Sequence, residues 1–301
     1  MITIGSRGSQ LALWQARWVE SRIGELGESC RIEIIKTTGD RITDVPLAKV
    51  GGKGLFTKEI EDALLEGSVD LAVHSLKDMP TELPDGLTLQ AVPEREDVRD
   101  ALVGRTLDQL AKGARVGTSS LRRAAQLKAA RPDLTIETIR GNLDTRLRKL
   151  DEGQYDAIVL AAAGLRRLGW ADRIGELLAE DVMCPAVGQG ALAIETRADE
   201  GEAALLCRRL NHFETRVAVT AERALLGALG GGCQVPIGAN ATVTGDGLSL
   251  RAVVAAPDGS KLVKGFRQAS VAEAEAAGRD LAAELLSNGA RTILEQVYGA
   301  G

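Results

Sequence analysis

The sequence predicts an α/β protein with two similar lobes around a cleft and a small α+β domain at the C-terminal end. Short apolar runs alternate with amphipathic segments from residue 2 to residue 78, the βαβαβ order of a layered domain. The motif E-G-x-x-D-x-x-V, which enters a strand from a helix end, occurs at 66–73 and again at 152–159. After residue 237, three strand-like runs precede an Ala-rich helix, which predicts the third domain.

Length and composition indicate a multidomain globular protein in a reducing compartment. At 301 residues the chain is too long for one small core and suggests two or three domains. No apolar run reaches the ~20 residues that span a bilayer, and the N-terminus has no signal or transit peptide pattern. Four cysteines without a C-x-x-C pair, and only two histidines, predict a cytoplasmic protein without a histidine-rich metal site.

Positive charge is concentrated in one part of an acidic chain. The net charge is −5, yet the segment 112–149 is rich in arginine and holds few acids. Arginine binds carboxylate or phosphate through a planar two-point fork. The sequence therefore predicts a local anionic ligand in this segment, whose arginines are Arg115, Arg122, Arg123, Arg131, Arg140, Arg146 and Arg148.

The first lobe is predicted from its alternation of strands and helices. A strand at Ile2–Ile4 leads through a glycine turn to a helix that Ser9 caps and Gly27 ends. A strand at 30–36, a long glycine-rich loop and a helix at 56–66 follow. The apolar face of the first helix is expected to contain Leu11, Trp14, Trp18, Ile23 and Leu26.

The second lobe is predicted to begin near Arg99. A strand at 115–117 is followed by a helix whose start is capped by the residues 118–120. A strand at 135–139 follows, and the turn at 140–142 begins another helix. We therefore expect a second α/β layer that repeats the order of the first.

The remaining segments complete both lobes and form the third domain. The segment 185–190 is predicted to cross between lobes, and the strand 191–195 to return to the first one. Two helices, three strands and a helix at 271–288 follow. The predicted domains are a first lobe of residues 1–95 plus about 190–210, a second lobe of residues 96–189, and a C-terminal domain of residues 211–301.

A polar stretch follows the short buried strand at 71–73. His74 is predicted to be a satisfied core histidine, and Ser75, Lys77 and Asp78 come directly after it. Polar groups just past the carboxyl end of a strand are where open α/β sheets keep their ligands. Asp78 beside Lys77 is therefore either an anionic acceptor tuned by its cationic neighbour or a turn cap beside a solvated charge.

Cys233 is the cysteine with the most unusual surroundings, because three glycines precede it. The glycines allow backbone conformations that bring the sulfur close to a ligand. Two interpretations stay open: an inert packed thiol, or a thiol that carries a covalently attached prosthetic group. A protease nucleophile is disfavoured, because no histidine partner is evident.

Two further features are compatible with a flat anionic ligand. Ser119 and Ser120 at a helix start present hydroxyls and unpaired backbone N–H groups to an anion. Phe56, in a chain with 3% aromatic residues, is either part of the core or a stacking wall for a flat ligand.

Six motifs stand in order along essentially the whole chain: KVGGKGLF at 49–56, VHSLKDMP at 73–80, GTSSLRR at 117–123, RGN at 140–142, PAVGQG at 185–190 and GGCQVP at 231–236. Together they resemble the porphobilinogen deaminase family, also called hydroxymethylbilane synthases. The visible departures are apolar exchanges such as Leu76 and Met79, which concern no catalytic group.

The resemblance implies a fold, a reaction and a cofactor. The fold would be two periplasmic-binding-protein-like lobes plus a third domain that carries the cysteine. The reaction would condense four porphobilinogen molecules head to tail, with release of ammonia, into the linear tetrapyrrole hydroxymethylbilane. The primer would be a dipyrromethane cofactor bound to Cys233 through a thioether.

The resemblance also assigns residues, position by position. Asp78 would be the central catalytic group, assisted by Lys77. The cofactor would be bound, besides Cys233, by Ser9, Lys53, Phe56, Ser119, Arg122, Arg123, Arg140, Arg146 and Gly188. Substrate contacts would come from Arg7, Gln15 and Arg167, because the pyrrole rings carry acetate and propionate chains that arginine binds bidentately. The expected partner is porphobilinogen, with no nucleic acid, no membrane and a monomeric enzyme.

Two other classes compete with this interpretation. A non-catalytic bilobal binding protein for an anionic small molecule would share the lobes and the basic site but would leave Cys233 without a role. A nucleic-acid-binding module would use the basic segment 112–149. That segment has almost no aromatic residues, and the net charge of the protein is negative.

Overall fold

The computed structural model describes residues 1–41, 54–231 and 235–298. They divide into two compact units, Met1–Glu96 with Ala191–Arg216, and Asp97–Gly190 with Val217–Gly301, and each unit is described by itself. Within the described ranges no helix combines the length and the apolar character that crossing a membrane requires.

The described strands, in chain order, are β1 (Ile2–Ser6), β2 (Cys30–Ile34), β3 (Leu71–Ser75), β4 (Leu87–Ala91), β5 (Asp100–Val103), β6 (Arg115–Gly117), β7 (Thr135–Glu137), β8 (Ala157–Ala161), β9 (Ile174–Leu177), β10 (Leu192–Arg197), β11 (Ile237–Thr244), β12 (Gly247–Ala255) and β13 (Leu262–Ser270).

The described α-helices are α1 (Gln10–Glu25), α2 (Thr38–Arg41), α3 (Lys58–Leu65), α4 (Leu121–Ala130), α5 (Leu143–Asp151), α6 (Ala162–Arg167), α7 (Glu202–Arg208), α8 (Phe213–Ala228), α9 (Ala274–Leu285) and α10 (Arg291–Tyr298). Short 3₁₀ turns occur at Leu76–Asp78, Ala171–Arg173 and Val271–Glu273, and one π turn at Leu286–Ala290.

The first unit is a five-stranded sheet with the order β2-β1-β3-β10-β4. Strand β1 is parallel to β2 and β3, whereas β10 is antiparallel to both β3 and β4. The predicted return of the chain to the first lobe is therefore confirmed. The predicted apolar face of α1 is confirmed for Ile23, which is buried, and for Trp18, which packs partly buried against the core. Leu11, Trp14 and Leu26 are not among the buried residues, which are Ala12, Gln15, Ala16, Val19 and Ile23. The small side chains lie against the sheet, and the large Trp14 and Trp18 are only partly buried.

The second unit contains a sheet of the same topology, with the order β7-β6-β8-β5-β9. The repeated motif makes the same bonds in both units. Asp70 Oδ2 accepts the Thr3 N–H at 2.8 Å, and Asp156 Oδ2 accepts the Arg115 N–H at 2.7 Å. Gly67 in one unit, like the corresponding glycine of the other, has φ of +74°, a conformation that favours glycine. The suspected internal repeat is confirmed.

The second unit also holds the C-terminal antiparallel sheet β11-β12-β13. Helices α8, α9 and α10 contribute to one apolar core with this sheet. The Ala239 N–H donates to the Pro185 carbonyl at 2.9 Å, which joins β11 to the segment that precedes Gly190. The three predicted strands are confirmed, whereas the predicted helix at 271–288 ends at Leu285, and a further helix, α10, follows a kink at Gly289 with φ +102°.

Candidate active site

The turn after β3 displays the two predicted catalytic side chains. The Leu76 side chain is buried, and its N–H donates to the Ala191 carbonyl at 3.0 Å, which fastens the turn to the start of β10. Lys77 is half-buried and Asp78 is exposed. Because β3 is the middle strand of its sheet, Asp78 lies at the kind of strand end where α/β proteins bind ligands.

The turn between β1 and α1 supports the end of β3. Ser9 Oγ accepts the Ala12 N–H at 3.3 Å, as expected of the predicted N-cap. The side chain of Gln15 is buried and its amide donates to Ser75 Oγ at 2.8 Å. This contact positions the residue that immediately precedes the turn with Asp78.

Arg7 lies in a cluster with an acid that sequence reasoning missed. Its guanidinium donates to both carboxylate oxygens of Asp40, and its Cζ lies 4.2 Å from the centre of the Phe56 ring. Burial by itself raises the pKa of Asp40, but hydrogen bonds from Arg7 and Thr37 outweigh it and hold that pKa below its usual value. The structure thus brings two predicted site residues, Arg7 and Phe56, together.

His74 is the satisfied core histidine that the sequence predicted. The residue is 6% exposed, and its Nε2 lies 3.0 Å from Oε2 of the fully buried Glu195. The contact joins β3 to β10 close to the turn with Asp78. His74 is therefore part of the support of this turn.

In the second unit, the adjacent arginines Arg122 and Arg123 are buried on Asp100. Arg122 Nη1 donates to Asp100 Oδ2 at 2.7 Å, and Arg123 Nε donates to Oδ1 at 2.8 Å. Burial alone would raise the pKa of Asp100, but the charges of both arginines lower it far below its usual range. One carboxylate faces two guanidinium groups, so one positive charge remains in excess.

Ser119 and Arg140 lie at neighbouring strand ends of the second unit. The Ser119 hydroxyl donates to the Ile139 carbonyl, the residue before Arg140, and Ser120 caps α4 by accepting the Arg123 N–H at 3.4 Å. Nη1 of Arg140 is buried and has no hydrogen-bond partner among the described residues. A buried guanidinium nitrogen without an acceptor is unfavourable, so this atom suits an anionic ligand.

Two more predicted arginines are oriented by the backbone. Arg146 Nε donates to the Gly141 carbonyl at 2.8 Å, and Arg167 Nη2 donates to the Gly190 carbonyl at 2.7 Å. Gly141 has φ of +111°, and a Cβ at this position would lie 2.6 Å from Thr145 Cγ2. The RGN turn that begins α5 therefore requires glycine in its middle position.

Gly188 is joined to the C-terminal sheet by an acid that the sequence did not single out. The fully buried Glu222 accepts the Gly188 N–H at 2.7 Å and the Ala241 N–H at 2.8 Å. Two predicted cofactor-binding residues, Lys53 and Cys233, lie outside the described residues. The segment before Cys233 is fixed at Gly230, whose carbonyl accepts the Tyr298 hydroxyl at 2.9 Å.

The acids that sequence reasoning missed, Asp40, Asp100, Glu195 and Glu222, have partners far away along the chain. The sequence offered one signal for these acids, which is a single acidic residue in an otherwise apolar strand. Examples are Glu195 after Ile194, and Asp100 before Ala101-Leu102-Val103. An unexplained charge in a buried strand indicates a paired charge.

An exposed carboxylate at a strand end and buried arginines are features of α/β proteins that bind small anionic molecules. Similarity to known proteins identifies the family within this class. Residues 2–204 match the family model "Porphobilinogen deaminase, dipyromethane cofactor binding domain", and residues 216–287 match "Porphobilinogen deaminase, C-terminal domain". The chain belongs to the porphobilinogen deaminase family, whose members are transferases of tetrapyrrole biosynthesis that carry a dipyrromethane cofactor.

Curated relatives agree over the full length. The porphobilinogen deaminase of Syntrophobacter fumaroxidans is 54% identical over 305 residues, covering 100% of this chain and 99% of the relative. That of Syntrophotalea carbinolica is 55% identical, covering 97% and 95%. The expected family and reaction class are confirmed.

Among solved structures, a periplasmic substrate-binding protein of an ABC transporter from Coxiella burnetii is 13% identical, with a TM-score of 0.44 over 70% of this chain and 92% of that chain. A substrate-binding domain of a putative amino acid ABC transporter from Streptococcus pneumoniae is 14% identical, with a TM-score of 0.44 over 76% and 95%. The predicted fold class, two α/β lobes and a small C-terminal sheet, is confirmed by the sheets described above.

Proposed function

We propose that this protein joins four porphobilinogen molecules head to tail, releasing one ammonia each time, to form hydroxymethylbilane, with Asp78 as the central catalytic group. The observation that carries the proposal is the exposed carboxylate of Asp78 beside Lys77, on a turn whose other side chain is buried in the sheet. A rigidly mounted carboxylate at a strand end holds its geometry during several successive turnovers.

Asp78 can serve each step of such a reaction. Its carboxylate accepts hydrogen bonds from a pyrrole N–H of the substrate and stabilises the cation that forms as ammonia leaves. It then takes up the proton that the coupling releases. Lys77, the neighbouring residue on the same turn, is the proposed assisting cation.

The described residues fit a dipyrromethane cofactor, which carries acetate and propionate chains. Arg122 and Arg123 hold one positive charge more than Asp100 neutralises, and Arg140 has a buried nitrogen that needs an acceptor. When bound, the cofactor supplies the pyrrole carbon to which the first substrate unit is joined. Ser9, Lys53, Phe56, Ser119, Arg146 and Gly188 complete the proposed contacts.

Cys233 is the proposed attachment thiol, and the other cysteines support this by their surroundings. Burial raises the pKa of the Cys184 and Cys207 thiols to about 12, so neither yields a thiolate near neutral pH. Burial and nearby acids also raise the pKa of Cys30. These three cysteines form no disulfide, in keeping with the cytoplasmic location that we propose.

Arg7, Gln15 and Arg167 are the proposed substrate contacts. The guanidinium group of Arg7 is held by Asp40 and that of Arg167 by the Gly190 carbonyl, which fixes the orientation of both for binding carboxylates. Porphobilinogen is the proposed partner, taken up by a monomeric enzyme without nucleic acid or membrane.

The test of the catalytic assignment is Asp78→Asn, with Asp85→Asn as the matched control, because Asp85 is an exposed acid shortly after the same turn. We expect Asp78→Asn to fold, to keep the mass of the attached cofactor and to lose on the order of 10²-fold or more in kcat. Asp85→Asn should match the unmodified enzyme. Near-normal product formation by Asp78→Asn would contradict the assignment.

The test of the cofactor attachment is the intact mass of the denatured protein beside that of Cys233→Ala. We expect an excess mass of two linked pyrrole units, absent from the variant. Cys184→Ala, which removes a buried thiol, should keep the excess. An unchanged adduct in Cys233→Ala would assign the thioether to another residue. Tight porphobilinogen binding without mass gain or turnover would instead favour the non-catalytic binding protein.

A further inference from the structure

Three buried titratable side chains lie behind the turn that displays Asp78. Glu61 on α3 and His74 on β3 are each 6% exposed, and Glu195 on β10 is 0% exposed. His74 Nε2 lies 3.0 Å from Oε2 of Glu195, within hydrogen-bond distance. All three groups are therefore shielded from water.

The strand register places these groups on one face of the sheet. Ala193 lies opposite His74, and Ala72 lies opposite Glu195, so His74 and Glu195 are diagonal neighbours on the same face. Ala72 packs in a core cluster with Ile60 and other residues of α3, which identifies this face as the one that α3 covers. Glu61 on α3 therefore faces the histidine–glutamate pair.

The hydrogen-bond partners of the cluster are incomplete as long as both acids are ionised. Oε2 of Glu195 is engaged by His74. Oε1 of Glu195 and Oε1 of Glu61 are both buried, and neither has a donor among the described residues. A proton on one carboxyl group that points to the other would satisfy both oxygens, because a protonated carboxyl is a donor and a carboxylate an acceptor.

Burial is the main reason that Glu61 favours its protonated form. Burial raises the pKa of Glu61, and the charges of Glu195 and Asp62 raise it further, against the Thr57 hydroxyl and His74, which lower it. Arg197, the cation of β10 on the side of α3, donates to the carbonyls of residues 64 and 69 at 2.9 Å.

We propose that Glu61 and Glu195 share one proton in the resting enzyme, and that this carboxyl–carboxylate hydrogen bond, with His74, positions the end of β3 and the turn that carries Asp78. All three are positioning residues, since they are buried under α3. The positioning half of the proposal rests on the proposed catalytic role of Asp78, whereas the shared proton does not.

The shared proton is tested by infrared difference spectra at neutral pH. The spectrum of the unmodified protein minus that of Glu61→Gln should contain the carbonyl stretch of a protonated carboxyl group. The matched control is Glu66→Gln, which removes an exposed carboxylate just after the same helix and should give carboxylate bands only. Carboxylate bands in the Glu61→Gln difference would overturn the proposal.

A second readout is the pH dependence of the melting temperature. A folded-state pKa above the unfolded one gives a stability contribution that is complete at acidic pH and is lost as pH rises. The Tm of Glu61→Gln minus that of the unmodified protein should therefore increase from about pH 4.5 upward, the range in which glutamate ionises in the unfolded chain. The corresponding Tm difference for Glu66→Gln should not change with pH. A flat difference for both variants would contradict the shared proton.

Positioning is tested with Glu61→Leu, which keeps the apolar packing but removes the donor. We expect kcat to fall on the order of tenfold or more, with KM and the attached cofactor mass unchanged. Glu61→Gln, whose amide can still donate to Glu195, should restore most of the activity. Normal kcat in Glu61→Leu would overturn the positioning role. Failure of Asp78 as catalyst would instead show in Asp78→Asn and would leave the infrared and melting results unaffected.

Discussion

The two α/β units share one topology but present charges of opposite sign at the ends of their central strands. Both β3 and β8 lie between a parallel neighbour and an antiparallel one. Strand β3 ends in a 3₁₀ turn that exposes Asp78, whereas β8 runs directly into α6, which ends in Arg166 and Arg167. The fold decides where a side chain is displayed, and the few residues after the strand decide which chemistry is displayed there.

The buried charges of the two units differ in the same way. In the first unit the buried Glu195 contacts His74, and burial raises the pKa of a second buried acid, Glu61. In the second unit Asp100 faces Arg122 and Arg123, so the cluster has a positive charge in excess. The equivalent antiparallel strands β10 and β5 thus carry buried acids with different partners in the two units.

The largest expected contrast is between the kinetic effects of substitutions after β3 and after β8. Asp78→Asn should lose on the order of 10²-fold or more in kcat. Arg167→Gln should mainly raise KM, by roughly tenfold, because one charge-assisted hydrogen bond to a substrate carboxylate contributes about 1.5–3 kcal/mol. Steady-state kinetics with porphobilinogen measures both. A kcat loss of equal size in the two variants would show that the strand ends do not have separate roles.

The next largest effect concerns the buried acid of the second unit. Asp100→Asn leaves two buried guanidinium groups without their carboxylate and should cost about 3–5 kcal/mol of unfolding free energy, measured by urea denaturation. Asp108→Asn, at an exposed acid of the same unit, should cost less than about 0.5 kcal/mol. A loss below 1 kcal/mol in Asp100→Asn would contradict the ion-pair description.

The sign of the pH dependence of stability follows from the cluster of Asp100 with its two arginines. The pKa of Asp100 is lowered in the folded protein, so its contribution to stability is complete above the unfolded pKa of about 4 and is lost as pH falls further. The stability difference between the unmodified protein and Asp100→Asn should therefore shrink below about pH 4. A difference that stays constant into strongly acidic solution would show that charge is not its source.

A smaller loss of stability is expected from glycine substitutions in the second unit, where two positions distinguish backbone strain from steric contact. Gly113 and Gly141 have φ of +80° and +111°, but only Gly141 has a neighbour where a Cβ would stand, at 2.6 Å. Gly113→Ala should cost about 1 kcal/mol and Gly141→Ala about 2–3 kcal/mol. Thermal unfolding compares them. Equal costs would mean that Thr145 moves away without penalty.

The smallest effect tests the internal repeat itself. Asp70→Ala and Asp156→Ala each remove one hydrogen bond from a carboxylate to a backbone N–H and should each cost about 1–2 kcal/mol. Because the units repeat the same bond, the two costs should agree within about 0.5 kcal/mol and add in the double variant. A clear loss of unfolding free energy in one unit alone would show that the units repeat the backbone fold but not the stabilisation by this hydrogen bond.

Local signals in the sequence predicted much of the secondary structure. The strand 115–117, the caps at Ser9 and Ser120, and the helix start after Asn142 agree with the structure, because propensity and capping act within a few residues. Strands β4, β5 and β9 were not predicted. They are short and contain polar residues such as Gln90 and Glu176, so their burial pattern is visible only beside their partner strands.

Motifs and periodicity are local properties of the chain, so they were enough to predict the family, the repeated α/β order and the candidate residues. Only the tertiary structure decided the partners of the buried charges. Asp100 with Arg122, and His74 with Glu195, are separated along the chain by 22 and 121 residues. A buried charge is stable only with a partner, and the fold selects that partner from residues that no local pattern connects.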